Sequence, residues 1–155
     1  FTKEQINQVH ELFKKKENIV GLKEATGKVA QASKAMYLTD GKLELYSGED
    51  GLVVPLLSIG AIGVISVWSN VAPQKVHDMV MSYLNGDTKT AMELQREGLP
   101  LVDALFSEVN PIPVKKAMNF MGMNVGSLRA PLCEMSEENA AKLKEVMKNY
   151  GLPLA

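Results

Sequence analysis

The chain has 155 residues, 46% of them hydrophobic and 23% charged, with a formal net charge of −1. That balance suits one globular chain with a buried core. It speaks against partners that demand a basic surface, nucleic acid and anionic membranes among them. Cys133 is the only cysteine, which excludes an intrachain disulfide and a cysteine-built metal site and fits a cytoplasmic setting.

Thr2, followed three residues later by Gln5, reads as a capping box. Behind it Ile6, Val9, Leu12 and Phe13 form one apolar helical face, and Lys14, Lys15 and Lys16 suit the helix C-terminal end. A short apolar strand over residues 19–23 ends on Lys23, and Glu24, Ala25, Thr26 and Gly27 follow at once. A weakly patterned helix runs through Val29, Ala32 and Met36 to the turn signal Asp40-Gly41. Residues 43–46 give a second strand that ends in Ser47-Gly48-Glu49-Asp50, residues 52–57 a short apolar helix, and residues 63–67 a third strand. Pro55, Ser58, Gly60, Gly63 and Ser66 interrupt the most apolar window, so it is no membrane span.

From Pro73 the pattern is helical only. Val76, Met79, Val80, Tyr83 and Leu84 recur at helical spacing, and Gly86 closes that helix. Asp87 caps a long helix expected to reach about Glu108 with a bend at Gly98-Leu99-Pro100. Pro113 opens a further helix through Met121. Ser136 caps the last one, with Glu137 and Glu138 in its first turn and Gly151 beyond it.

Strands roughly 20 to 25 residues apart, with helical patterns between them, are the mark of βα units on a parallel sheet. Three strands cannot close a barrel, which uses eight, and an open sheet of three leaves two bare edges and an uncovered face.

Strand C-terminal ends are where barrel enzymes place their chemistry. Lys23 there reads as a Schiff-base nucleophile desolvated by apolar neighbours, or as a lysine leaving for solvent or pairing with Glu24 or Glu44. Gly48 lets a backbone approach a small carboxylate closely, or simply makes a strand-to-helix turn that Glu49 or Asp50 caps. Ile65 and Ser66 offer backbone groups to a ligand or belong to a core strand. His10 and His77 fall on helices away from the strand tips and read as surface or half-buried residues, and Cys133 reads as a packed thiol. No Walker loop, GxGxxG, HExxH, CxxC or EF-hand pattern is present, so neither a cofactor nor a metal is expected.

The segment Gly21-Leu22-Lys23-Glu24-Ala25-Thr26-Gly27 resembles the Schiff-base lysine segment of the 4-hydroxy-tetrahydrodipicolinate synthase (dihydrodipicolinate synthase) family. Ser47-Gly48-Glu49-Asp50 resembles that family's strand-seven ending, and Gly63-Val64-Ile65-Ser66-Val67 its eighth strand. Asn110-Pro111-Ile112-Pro113-Val114-Lys115 and Leu128-Arg129-Ala130-Pro131-Leu132 resemble its N-P-I-P-V-K and L-R-x-P-L segments, in the same order. The resemblance implies an α/β fold: the C-terminal portion, strands six to eight, of a (β/α)8 TIM barrel over residues 1–72, then a C-terminal helical region over residues 73–155. It implies a pyruvate-dependent class I aldolase-type lyase of lysine and diaminopimelate biosynthesis. Pyruvate forms an imine with Lys23, beside Gly48 and the Ile65 main chain, and its enamine attacks aspartate 4-semialdehyde. N-acetylneuraminate lyases and keto-sugar-acid aldolases are sister alternatives, and a catalytically silent half-barrel is another. The family's paired-threonine loop, the tyrosine of its Y-N-V-P motif and its substrate-binding arginine have no counterpart in these residues. The resemblance therefore implies an N-terminal half, in the same protein or a companion chain, without which these residues alone would be inactive. A homotetramer or homodimer is implied too.

Overall fold

In a computed structural model of the chain, residues 3–155 are described; the Thr2 cap lies outside them. Two compact units emerge. One comprises the chain up to Ser66 together with Val80–Ala91, the other Val67–Met79 with Met92–Ala155.

The first unit is α/β. Helix α1 (Lys3–Lys15) precedes β1 (Gly21–Glu24), α2 (Val29–Leu38) and β2 (Glu44–Ser47); a 3-10 turn and α3 (Val53–Leu57) lead to β3 (Gly63–Val64). The strands form one parallel sheet in the order β1-β2-β3. In its register Lys23 stands opposite Tyr46, Glu24 opposite Ser47, and Tyr46 opposite Gly63.

Side chains alternate across a strand, so the two faces differ sharply here. Leu45, Ser47 and Glu24 are almost fully buried on one face, while Lys23 and Glu44 on the other are exposed. The buried face lies with Ala32, Ala35, Val53, Leu56 and Leu57 in the unit's core, because α2 and α3 cover the sheet from one side only. Helix α1 packs on α2 through half-buried Ile6, Val9 and Phe13. Leu12, expected on that apolar face, is exposed at its edge.

The third strand is shorter than its apolar run suggests. Ladder bonds to β2 cover Gly63 and Val64, after which Ile65 still donates to the Ser47 carbonyl at 2.8 Å and Val67 turns into a helical conformation. Apolar β-branched residues fit a strand, but only a paired neighbour makes one.

Helix α4 (Pro73–Leu84) and helix α5 (Thr88–Leu105) each pass from one unit into the other. The Asp87 carboxylate accepts from the Thr90 amide at 3.0 Å, a side-chain cap that satisfies a donor the helix itself cannot. Helix α5 ends at Leu105 rather than near Glu108, and it continues through Pro100.

In the second unit α6 (Ile112–Phe120) packs on α7 (Glu137–Tyr150). Ser136 caps α7 by accepting from the Asn139 amide at 3.3 Å. Glu108 ties the same end down, accepting from the Ser136 hydroxyl at 2.9 Å and the Asn139 amide group at 2.8 Å. Those two partners hold the Glu108 carboxyl below its ordinary range. Gly151 ends α7 at φ 85°, a left-handed conformation that suits glycine. The unit's core gathers Trp68, Leu101, Leu105, Leu143 and Met147, all essentially inaccessible. Cys133, expected as a packed thiol, is exposed. It sits in an irregular segment between α6 and α7 in which Met135 takes the buried place instead.

Candidate active site at the strand tips

The C-terminal ends of the three strands bring Lys23, Gly48 and Ile65 to one edge of the sheet, all within the first unit. Lys23 is the third residue of β1, on the face that the helices do not cover. Its side chain is exposed, which differs from the desolvated amine expected from its apolar run. The apolar neighbours Leu22 and Val20 lie off its face, and its near neighbours in the sheet are Gly21 and Tyr46. The ion pairs considered for it are not made either. Glu44 accepts the Tyr46 hydroxyl at 3.2 Å, and Glu24 accepts from Thr26.

Gly48 follows β2, and its surroundings explain why no side chain stands there. A Cβ on Gly48 would lie 2.9 Å from Lys23 Cε, 2.9 Å from the Glu24 carbonyl oxygen and 2.8 Å from Ala25 Cβ. Real Cβ atoms do not come so close, so Gly48 is the space into which the Lys23 side chain packs. Its amide is already committed, donating to the Glu24 carbonyl at 2.6 Å. The contribution of Gly48 is therefore room for the Lys23 stem and a tie between two strand tips, with its own N–H already used.

Ile65 lies just beyond β3. Its amide is taken by the Ser47 carbonyl, which leaves its carbonyl oxygen as the main-chain group able to meet a ligand; its side chain is 49% exposed. Ser47 is fully buried and its hydroxyl closes the turn after β2, donating to the Glu49 carbonyl at 2.8 Å and accepting the Glu49 amide at 3.2 Å. Glu49 in turn caps the next 3-10 turn.

Two features of the site were not singled out from the sequence. The Tyr46 ring lies between the glycines of the flanking strands, 3.4 Å from a Cβ built on Gly21 and 3.5 Å from one built on Gly63. Burial, with the Glu44 carboxylate beside it, pushes the Tyr46 phenol up from its ordinary range. Glu24, weighed only as an ion-pair partner, is 2% exposed and bonded to Thr26 through both the Thr26 amide (2.6 Å) and the Thr26 hydroxyl. The Glu-x-Thr spacing at a strand end was the available signal, since such a carboxylate reaches the backbone two residues on. Among the described residues, no group of three or more His, Cys, Asp or Glu side chains is placed to hold a metal ion. No helix among them is long and apolar enough to cross a membrane.

The arrangement offers a primary amine at a strand tip, its stem against a position without a side chain, with the Ile65 main chain at the same edge of the sheet. That is suited to attack on a small carbonyl compound.

A profile of the Dihydrodipicolinate synthetase family matches residues 2–150. The 4-hydroxy-tetrahydrodipicolinate synthase of Lachnoclostridium phytofermentans is 52% identical over 136 residues, which are 88% of this chain and 46% of that protein. Among solved structures, dihydrodipicolinate synthase from Aquifex aeolicus superposes with a TM-score of 0.93 at 40% identity, over 96% of this chain and 51% of that one. The chloride-inhibited dihydrodipicolinate synthase of Acinetobacter baumannii, solved in complex with pyruvate, does so with a TM-score of 0.89 at 33% identity, over 95% and 50%. The chain spans about half the length of the curated relatives it matches.

Proposed function

Because the chain belongs to the dihydrodipicolinate synthetase family, we propose that Lys23 forms an imine with pyruvate on the way to 4-hydroxy-tetrahydrodipicolinate. The observation that carries this reading is the packing of the Lys23 stem into the space left by Gly48, at the C-terminal edge of a parallel sheet. The amine attacks the pyruvate keto carbon and a water molecule leaves. The resulting protonated imine draws electrons from the methyl carbon, which loses a proton to give an enamine. That carbon then bonds to the aldehyde carbon of L-aspartate 4-semialdehyde, whose oxygen takes up a proton and becomes the hydroxyl. The substrate's own amino group attacks the imine carbon, closing the ring and expelling Lys23 as the free amine.

Gly48 and the Ile65 carbonyl flank the bound pyruvate in this reading. The pyruvate complex of the Acinetobacter baumannii relative supports that substrate. The three strands serve as strands six to eight of a (β/α)8 barrel over residues 1–72, and residues 73–155 supply the last barrel helix and a C-terminal helical region. Five further strands, from the same protein or a companion chain, complete the barrel. The uncovered sheet face that carries Lys23 and the length of the relatives support this. Assembly as a homodimer or homotetramer in the cytoplasm accompanies it.

Borohydride reduction of the full-length protein with pyruvate should leave one covalent adduct on Lys23, located by peptide mass, and Lys23→Ala should remove it entirely. A wild-type protein that turns over but shows no adduct would sink the proposal. Consumption of pyruvate without use of aspartate 4-semialdehyde would move the assignment to a sister aldolase.

A further inference from the structure

Glu24 is the residue next to Lys23 and points to the opposite side of the sheet. Its carboxylate is buried on the helix-facing side, bordering a void of about 10 Å³ lined by Ile6, Val9, Leu22, Gln31 and Ala35. A carboxylate in so apolar a place is costly unless its bonds are made. One oxygen accepts both the Thr26 amide, at 2.6 Å, and the Thr26 hydroxyl. These bonds fold residues 24–26 into a closed turn immediately after the strand. The main chain of the same residue holds the neighbouring tip, because the Glu24 carbonyl accepts the Gly48 amide at 2.6 Å. The three atoms nearest the empty Cβ position of Gly48 are Lys23 Cε, the Glu24 carbonyl oxygen and Ala25 Cβ, from the last strand residues and the turn that follows them. A shift of the 24–26 turn therefore moves the Lys23 stem and its packing surface together.

We propose that Glu24 and Thr26 form a positioning clamp for Lys23, buried on the far side of the strand and never touching substrate. The proposal rests on Lys23 being the imine-forming lysine. The clamp sets where the amine stands against the β2 tip; it supplies no proton and binds no ligand. A carboxylate acceptor suits the task because its hydrogen bonds are shorter and roughly twice as strong as those between neutral groups. A misplacement of about 1 Å at a reacting group can cost on the order of 100-fold in rate.

The decisive variant is Thr26→Val, which keeps the shape and the amide bond but removes the hydroxyl donor, with Thr26→Ser as the restoring control. In the full-length protein, the rate of borohydride trapping at saturating pyruvate should fall about ten-fold or more in Thr26→Val. It should stay within about two-fold of wild type in Thr26→Ser, with the pyruvate concentration for half-maximal trapping little changed in both. The pH profile of trapping should keep its midpoint and lose height. Should Thr26→Val fail to fold, Glu24→Gln supplies the test, with an intermediate loss of trapping rate expected from its weaker, uncharged bonds. Wild-type trapping rate in folded Thr26→Val, whatever its melting temperature, overturns the clamp and leaves a structural role. A displaced pH midpoint with full height also overturns it, since Glu24 would then act through its charge. Absence of any adduct in the wild type refutes the imine reading instead, so the two failures are distinguishable.

Discussion

Gly48 and Gly98 are both positions where a side chain is excluded by a neighbour from elsewhere in the chain, yet the two exclusions differ in kind. At Gly48, in the first unit, the space is filled partly by Lys23 Cε, the far end of a flexible side chain on an exposed face. At Gly98, in the second unit, it is filled by the Trp68 ring, with a Cβ falling only 2.2 to 2.8 Å from three ring atoms of a fully buried indole. The first exclusion concerns where an exposed amine stands. The second concerns whether a core closes. A glycine in a strand-to-helix turn and a glycine in the middle of a helix look alike in composition, and only the neighbour's identity separates them.

The largest effect on stability is expected from Gly98→Ala. In an exposed helix interior this change is worth about 1 kcal/mol of stabilisation through helix propensity. Here the indole cannot yield without disturbing the packed core, and a contact as short as 2.2 Å puts the overpacking cost at the upper end of its usual range, about 3 kcal/mol. The net should be a loss of about 2 kcal/mol or more in a denaturant titration. Stability at or above the wild-type value would show that Trp68 has room to move and would remove half of the contrast.

Gly48→Ala should invert the pattern, with a modest stability loss of about 1 kcal/mol and a trapping rate with pyruvate down about ten-fold or more. The added methyl displaces the Lys23 stem and presses on the Glu24 carbonyl, which is backbone and yields less readily. Trapping at the wild-type rate in a folded Gly48→Ala protein would mean that Lys23 reacts from another rotamer.

A smaller effect belongs to the second unit alone. Burial, with the Glu97 carboxylate adding to it and the Trp68 indole opposing, pushes the Tyr150 hydroxyl up to about 12. An ordinary phenol titrates near 10. Between those values the unfolded chain releases a proton that the folded chain keeps, so Tyr150 favours folding fully below about pH 10 and progressively less toward pH 12. Tyr150→Phe should therefore flatten part of the stability decline across that interval, seen as a difference in midpoint between wild type and variant. Parallel declines would place the hydroxyl in water, as an unburied phenol.

The helical second half was legible from local signals. Asp87, Ser136 and Gly151 end their helices where the sequence places those ends, because a cap acts within one turn of its own residue. The strands were legible as apolar runs of the right spacing, but their bounds were not. β1 begins at Gly21 and takes in Glu24, and β3 stops at Val64, since a ladder extends only as far as its partner. The site was half legible. The strand ends mark Lys23, Gly48 and Ile65, whereas the Glu-x-Thr spacing marks a local turn at Glu24 but not the burial of its carboxylate. A charged residue after a lysine at a strand tip is ordinarily solvated, and only the alternation of faces puts it under α1 and α2. At Gly98 the sequence shows only a helix-weakening residue near Pro100, and the indole of Trp68 against it is a contact that no local signal marks.

By itself the sequence determined what is short-range: which segments are helices, how they are capped, the order of βα units, and that a lysine ends the first strand. These depend on bonds and side-chain periods within a few residues, so they are written locally. Only the tertiary structure decided what meets across the chain: Lys23 against Gly48, the Glu24 carbonyl on the Gly48 amide, Trp68 against Gly98. Such contacts follow from how a parallel register and a packed core bring distant residues to van der Waals distance, and no local pattern specifies that distance.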